Sequence, residues 1–138
     1  MEPTLIIPNS RETYVISVKE LLFIEASGNY STFWLTNRPP MRADKNKSEK
    51  GDGTPRGRVD ITVAVQLGAL HEMIKKSKND IRKSLVRIGR SYIVNINYIL
   101  KIDITNSMLY LMDSDHNVYK LEDAGRDNLI ELKKGLEK

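Results

Sequence analysis

Eight cationic side chains fall between positions 75 and 101: Lys75, Lys76, Lys78, Arg82, Lys83, Arg87, Arg90 and Lys101. Asp80 is the single acid among them, so this stretch carries a net +7 in a chain whose total is +4. Clustered Lys and Arg attract polyanions, because each one displaces counterions condensed on phosphates. A charge run also arises as a plain solvated face, so the run alone leaves both readings open. Its centre is more specific. Arg87, Arg90, Ser91 and Asn95 follow one another closely, and no acid occurs from Ile81 to Lys101. Arg presents a bidentate fork to guanine, while Ser and Asn reach phosphates or adenine.

Other chemistries fail on residue type or spacing. The two histidines, His71 and His116, are far apart, on a helix pattern and in a polar turn. Neither a nucleophile elbow, nor a paired-histidine zinc motif, nor a phosphate loop occurs. The run Gly51-Asp52-Gly53-Thr54-Pro55-Arg56-Gly57 is glycine-rich but lacks the Lys-Ser/Thr that would hold phosphate and Mg²⁺. Asp113-Ser114-Asp115-His116-Asn117 imitates a calcium loop, yet Val118 replaces the turn glycine and Ala124 the final Glu. There is no cysteine, which removes disulfides and thiolate metal sites. The expectation is a non-enzyme with no cofactor and no metal. No apolar run has the length of a membrane span and no signal-peptide layout opens the chain, so no membrane partner and a cytoplasmic location are expected.

The elements that must position the basic residues are mostly strands. Thr4–Pro8 and Thr13–Ile16 are β-rich, and Ser17 and Glu20 have capping-box spacing around one helical turn. Leu22–Ala26 is a buried strand that turns through Ser27-Gly28-Asn29 into Tyr30–Thr36, a hairpin with polar residues at its tip. Residues 37–60 hold three prolines, three glycines and alternating charges with little that is apolar, which predicts an exposed loop insertion. Val59, Ile61, Val63 and Val65 alternate as one face of a strand; Leu67, Leu70 and Ile74 then take helical spacing. His71 lies beside that apolar stripe, as a half-exposed helix-surface histidine. Leu85–Ile88, Ser91–Asn95, Ile99–Ile104, Met108–Met112 and Val118–Leu121 read as further strands, and Leu129, Leu132 and Leu136 mark a closing helix. This order predicts one mostly β domain over residues 1–138, built of small antiparallel sheets with one or two short helices.

Two segments resemble the signatures of LytTR-type DNA-binding domains. Leu22-Phe23-Ile24-Glu25-Ala26-Ser27-Gly28-Asn29-Tyr30 is similar to the first, an apolar strand followed by Glu-Ala and a Gly-Asn-Tyr turn. Leu85-Val86-Arg87-Ile88-Gly89-Arg90-Ser91-Tyr92-Ile93-Val94-Asn95 is similar to the second, longer and fixed in spacing. The resemblance runs from about Thr13 to Leu132 and departs from the family in two places. Gly89 stands where the signature carries His, and Leu121-Glu122-Asp123-Ala124-Gly125-Arg126 replaces a Ser-Arg near the last strand, with acids beside Arg126. The receiver domain common in such proteins is not in this sequence, so a stand-alone regulator or an excised output domain is expected.

The resemblance implies an elongated β fold whose loops enter successive major grooves on one face of bent DNA. The partner expected is double-stranded DNA with direct-repeat promoter sites, bound by a homodimer, for transcription regulation in a bacterium. The candidate DNA-binding residues are Asn29, Tyr30, Ser31, Arg87, Arg90, Ser91, Asn95, Lys120 and Arg126. Each has a plainer alternative. Asn29 and Asn95 suit turn chemistry, and Arg90 could pair with Glu25 or Asp103. Two rival functions stay open: a β-rich interaction or autoregulatory module for an acidic protein, and an RNA binder. RNA-reading sheets display aromatics, whereas Phe23 and Trp34 lie in strands that look committed to a core.

Overall fold

The computed structural model of the chain describes residues 4–8, 13–36, 59–77 and 79–137. Most of the expected loop insertion, residues 37–58, lies outside them. Ten strands form three antiparallel sheets. β1 (Thr4–Pro8) and β2 (Thr13–Ser17) pair as a ribbon. The central sheet has five strands in the order β5-β4-β3-β7-β6: Val59–Val63, Tyr30–Leu35, Leu21–Ser27, Tyr92–Asn95 and Leu85–Ile88. β8 (Ile99–Asp103), β9 (Met108–Met112) and β10 (Val118–Leu121) form the third sheet in the order β10-β9-β8. Three short helices complete the described chain: α1 (Leu67–Lys75), α2 (Asn79–Ser84) and α3 (Arg126–Leu136).

The central sheet is buried on both faces. On one side Ile24, Phe33, Leu35, Ile61 and Ile93 pack against α1, through Leu67, Leu70 and Ile74, and against the ribbon through Leu5, Ile7 and Ile16. On the other, Phe23, Tyr92 and Val94 meet Leu109, Leu111, Tyr119 and Leu121 of the small sheet and Leu129 and Leu132 of α3. A register shift between Leu21 and Phe23 lets the adjacent Leu22 and Phe23 face the same core. This explains why β3 is a continuous apolar run rather than an alternating one. Phe23 stacks on Trp34 at 5.5 Å and meets Tyr92 and Tyr119 edge-on. These four rings pack on one another rather than standing out as a platform for bases.

Two local expectations change. The turn after Ser17 is a 3₁₀ turn of three residues, Val18–Glu20, and Ser17 makes no capping bond. A capping box needs an α-helical first turn, and this turn ends too soon to supply one. Its carbonyls are satisfied from afar. Asn95 Nδ2 donates to both Val18 O and Leu21 O at 2.9 Å, the Tyr98 hydroxyl to Lys19 O, and Thr36 N to Glu20 O at 2.8 Å. The second change is α2, six residues anchored by buried Ile81, which no periodicity could signal at that length.

Candidate nucleic-acid interface

One end of the central sheet gathers the polar turns. β3 and β4 are joined by Gly28-Asn29, with Ser27 opposite Tyr30. Gly28 has φ +64° and Asn29 does not share the positive φ, which suits a tight hairpin turn opening on glycine. β7 lies beside β3, and Ala26 N donates to Ser91 O at 2.8 Å. The Gly89-Arg90-Ser91 turn between β6 and β7 therefore stands at the same end as the Gly28-Asn29 turn. Ser31 pairs with Val63, so β5 also ends here and feeds α1 through Val65 and Gln66. Gln66 Nε2 donates to Asn29 Oδ1 at 3.0 Å, tying the hairpin tip to the start of α1.

The nine candidate residues divide by where their side chains go. Arg90 is exposed and has no polar partner among the described residues; Asp103 spends its carboxylate on Asn106 at 3.1 and 2.8 Å. Tyr30 is half exposed at 51%, and Asn29 is exposed with its carbonyl held by Gln66. Ser91 is half-buried beside Arg90. Arg87 is partly committed. Its Nε donates to Gly89 O at 2.9 Å, and its Nη1 lies 3.4 Å from Nδ1 of His71. That first bond braces the turn that carries Arg90.

Ser31 and Asn95 point inward. Ser31 is fully buried and donates to Val65 O at 2.6 Å. Asn95 is 1% exposed, holds Val18 O of the 3₁₀ turn and Leu21 O at the start of β3, and accepts from Asn97 N at 3.0 Å. A buried amide left unpaired is costly, so both side chains are occupied by the fold. Both of these expected contact residues are therefore buried within the fold. Lys120 sits apart from the turns, in a cross-strand row with Tyr110 and Lys101 on the outer face of the small sheet; the Lys101 ammonium lies 5.0 Å from the Tyr110 ring. Arg126 is exposed at the start of α3, with Glu122, Asp123 and Asp127 close in sequence and exposed as well.

The rim is electrostatically divided. On the acidic side, burial pushes the Tyr92 phenol up, and Glu25, Asp123 and Glu122 push in the same direction. The Tyr92 hydroxyl donates to Glu122 O at 3.0 Å. On the basic side, burial lowers His71 below the ordinary histidine value, and the charges of Arg87 and Lys75 lower it further against the opposing pull of Glu72. The neutral form of His71 is thereby favoured, the form in which its Nδ1 can accept from Arg87 Nη1. Lys75 of α1, Arg82 of α2, Arg87 of β6 and Arg90 of the turn place cationic side chains on this side. His71, Gln66 and Asn128 had no signal in the sequence as parts of this end; only their partners across the fold reveal them.

Among the described residues no group of His, Asp and Glu has the arrangement of a metal site, and no helix is long and apolar enough to cross a membrane. The family model of the LytTr DNA-binding domain matches residues 55–135, which includes the Arg87–Asn95 segment. The fold is also that of a solved LytTr DNA-binding domain, from a protein described as a methyl-accepting/DNA response regulator of Bacillus cereus. The two share 15% identity over 100% of each chain, with a TM-score of 0.56. No curated protein matches the chain.

Proposed function

Since the chain belongs to the LytTR family of DNA-binding domains, we propose that it reads specific duplex sequences as the output module of a bacterial, cytoplasmic transcriptional regulator. DNA binding is the family's activity; sequence reading through the two turns is our assignment. The observation that carries it is the convergence of Gly28-Asn29-Tyr30 and Gly89-Arg90-Ser91 at one sheet end, fixed by the Gln66–Asn29 and Ala26–Ser91 hydrogen bonds. Two preorganised polar turns side by side suit edge-on entry into a major groove, where donors and acceptors distinguish all four base pairs. Arg90 then reads a base, Arg87 braces its turn, and Tyr30 with Ser91 holds flanking phosphates. Adjacent direct repeats, occupied by two copies of the chain, would present successive grooves on one DNA face.

Selection of bound sequences from random duplexes, followed by titration at several salt concentrations, tests this. A discrete consensus is expected, together with a slope of log K against log[salt] of roughly −5 to −7 for about 5–8 phosphate contacts. A flat salt response with no consensus rejects the reading and favours a protein partner.

A further inference from the structure

We propose that the groove bounded by α1, α2 and β6 is a second nucleic-acid contact, a channel for the phosphodiester backbone beside the base-reading turn, which grips that backbone more tightly when His71 is protonated. The inference rests on the DNA-binding reading and extends it to four side chains, three of which lie outside the family-like signature. The groove encloses about 520 Å³ and is lined by His71, Lys75, Arg82 and Arg87, with Gly89 and Asn128 where it reaches the Arg90 turn. Lys75 and Arg82 are exposed, and Arg87 and His71 half-buried, so the charged ends border water. β6 is the edge of the central sheet among the described residues.

The geometry fits a bound diester better than an empty groove. Three cations, Lys75, Arg82 and Arg87, line one concavity, and Lys75 pairs with Glu72 at 3.2 Å in an exposed i,i+3 contact. Such pairs are weak and exchange readily for a phosphate. A duplex engaged by Arg90 must carry its backbone past the neighbouring surface, with a phosphate every ~3.4 Å of axis on each strand. The groove begins at Gly89, the residue before Arg90, and runs along β6 from there.

His71 makes this contact responsive to pH. The groups facing it are Arg87 from β6, Lys75 and Glu72 from its own helix, with Arg82 of α2 across the groove. In the free protein burial and then the charges of Arg87 and Lys75 disfavour the protonated ring, whose Nδ1 lies 3.4 Å from Arg87 Nη1. A phosphate inverts the local field and supplies an acceptor, so the charged ring becomes the favoured form. Proton uptake then accompanies DNA binding, and by linkage affinity rises as pH falls.

The test uses the whole chain and a duplex carrying its selected site, at constant ionic strength between about pH 5.5 and 8. Kd should tighten several-fold, up to about tenfold if binding raises the His71 midpoint by one unit. His71→Gln should flatten that dependence and keep the same consensus. Arg82→Ala should weaken all sequences equally and reduce the salt slope by about 1. The chain has two histidines, so imidazole NMR resolves His71 from the exposed His116. The His71 midpoint should rise on adding duplex. A consensus-specific complex whose His71 midpoint does not move, and whose pH profile survives His71→Gln, overturns the channel and leaves the DNA reading intact. A shift with inorganic phosphate but none with duplex would make the groove a free-anion site and also overturn it. No binding to any duplex would reject both.

Discussion

The side-chain nitrogen of Asn128 lies 2.9 Å from the point where a β-carbon on Gly89 would stand, and 2.6 Å from the same point on Gly125. Both glycines have positive φ, +60° and +89°. One carboxamide, donating to Ala124 O at 3.0 Å, therefore fills the space beside two glycine turns. It connects the turn of Arg90 to the start of α3. At position 89 both backbone angle and space favour glycine.

Gly89→Ala should destabilise the domain by about 1–3 kcal/mol, the usual strain of a side chain at left-handed φ. Asn128→Ala alone should cost about 0.5–1.5 kcal/mol for one lost hydrogen bond. If the carboxamide crowds position 89, the Gly89 substitution will cost less in the Asn128→Ala background. Equal costs in a urea-unfolding double-mutant cycle would leave backbone strain as the entire effect.

Asn95→Ala should be a stability variant and not a recognition variant. It strips Val18 O and Leu21 O of a buried donor, and unsatisfied groups of this kind cost about 1–3 kcal/mol each. A lowered melting temperature with an unchanged consensus is expected. An altered consensus in a fully folded protein would return Asn95 to the contact set.

Arg90→Ala should leave thermal stability nearly unchanged, because the side chain is exposed and has no polar partner among the described residues. Specific binding should weaken by about 1–3 kcal/mol, with preference relaxed at one base position. Equal loss on every sequence would make it a phosphate contact.

Without DNA, stability should decline on mild acidification. The folded His71 value lies below its ordinary 6.5, so between the two values the unfolded chain binds the extra proton. The penalty is absent above about 6.5, grows as pH falls below it, and is complete below the folded value. His71→Gln should remove this component of the unfolding profile. A variant as acid-sensitive as the parent in that window would show that another group titrates there.

Shortening the connection between β4 and β5 should preserve cooperative unfolding. Leu35 and Val59 are register partners, so a short hairpin loop spans the gap. The closure entropy changes slowly with length, by about 0.6 kcal/mol per doubling. Broad or lost melting after replacing residues 38–57 with a four-residue turn would show that the stretch belongs to the core.

Much of this was legible in the chain itself. Alternation in Val59–Val65, the apolar run Leu22–Ile24 and the helical stripe Leu67-Leu70-Ile74 depend on period alone, and each appears as an element near its expected bounds. The Arg87–Asn95 segment pointed to nucleic acid through its resemblance to the family's second signature. The site was less legible. Arg90 and Tyr30 are exposed, but Ser31 and Asn95 look equally polar in the sequence and are buried. Asn95 serves carbonyls 74 and 77 residues away, and Ser31 one that is 34 away.

The sequence by itself determined the strand-rich architecture, the turn glycines and the charge run from Lys75 to Lys101, because periodicity, positive φ and net charge are local properties. Tertiary structure alone decided which polar side chains face a partner. A hydroxyl or amide goes wherever unsatisfied backbone groups await it, and those are set by distant strands packing together. The same packing placed His71 against Arg87, 16 residues away, and so gave a helix-surface histidine its basic environment.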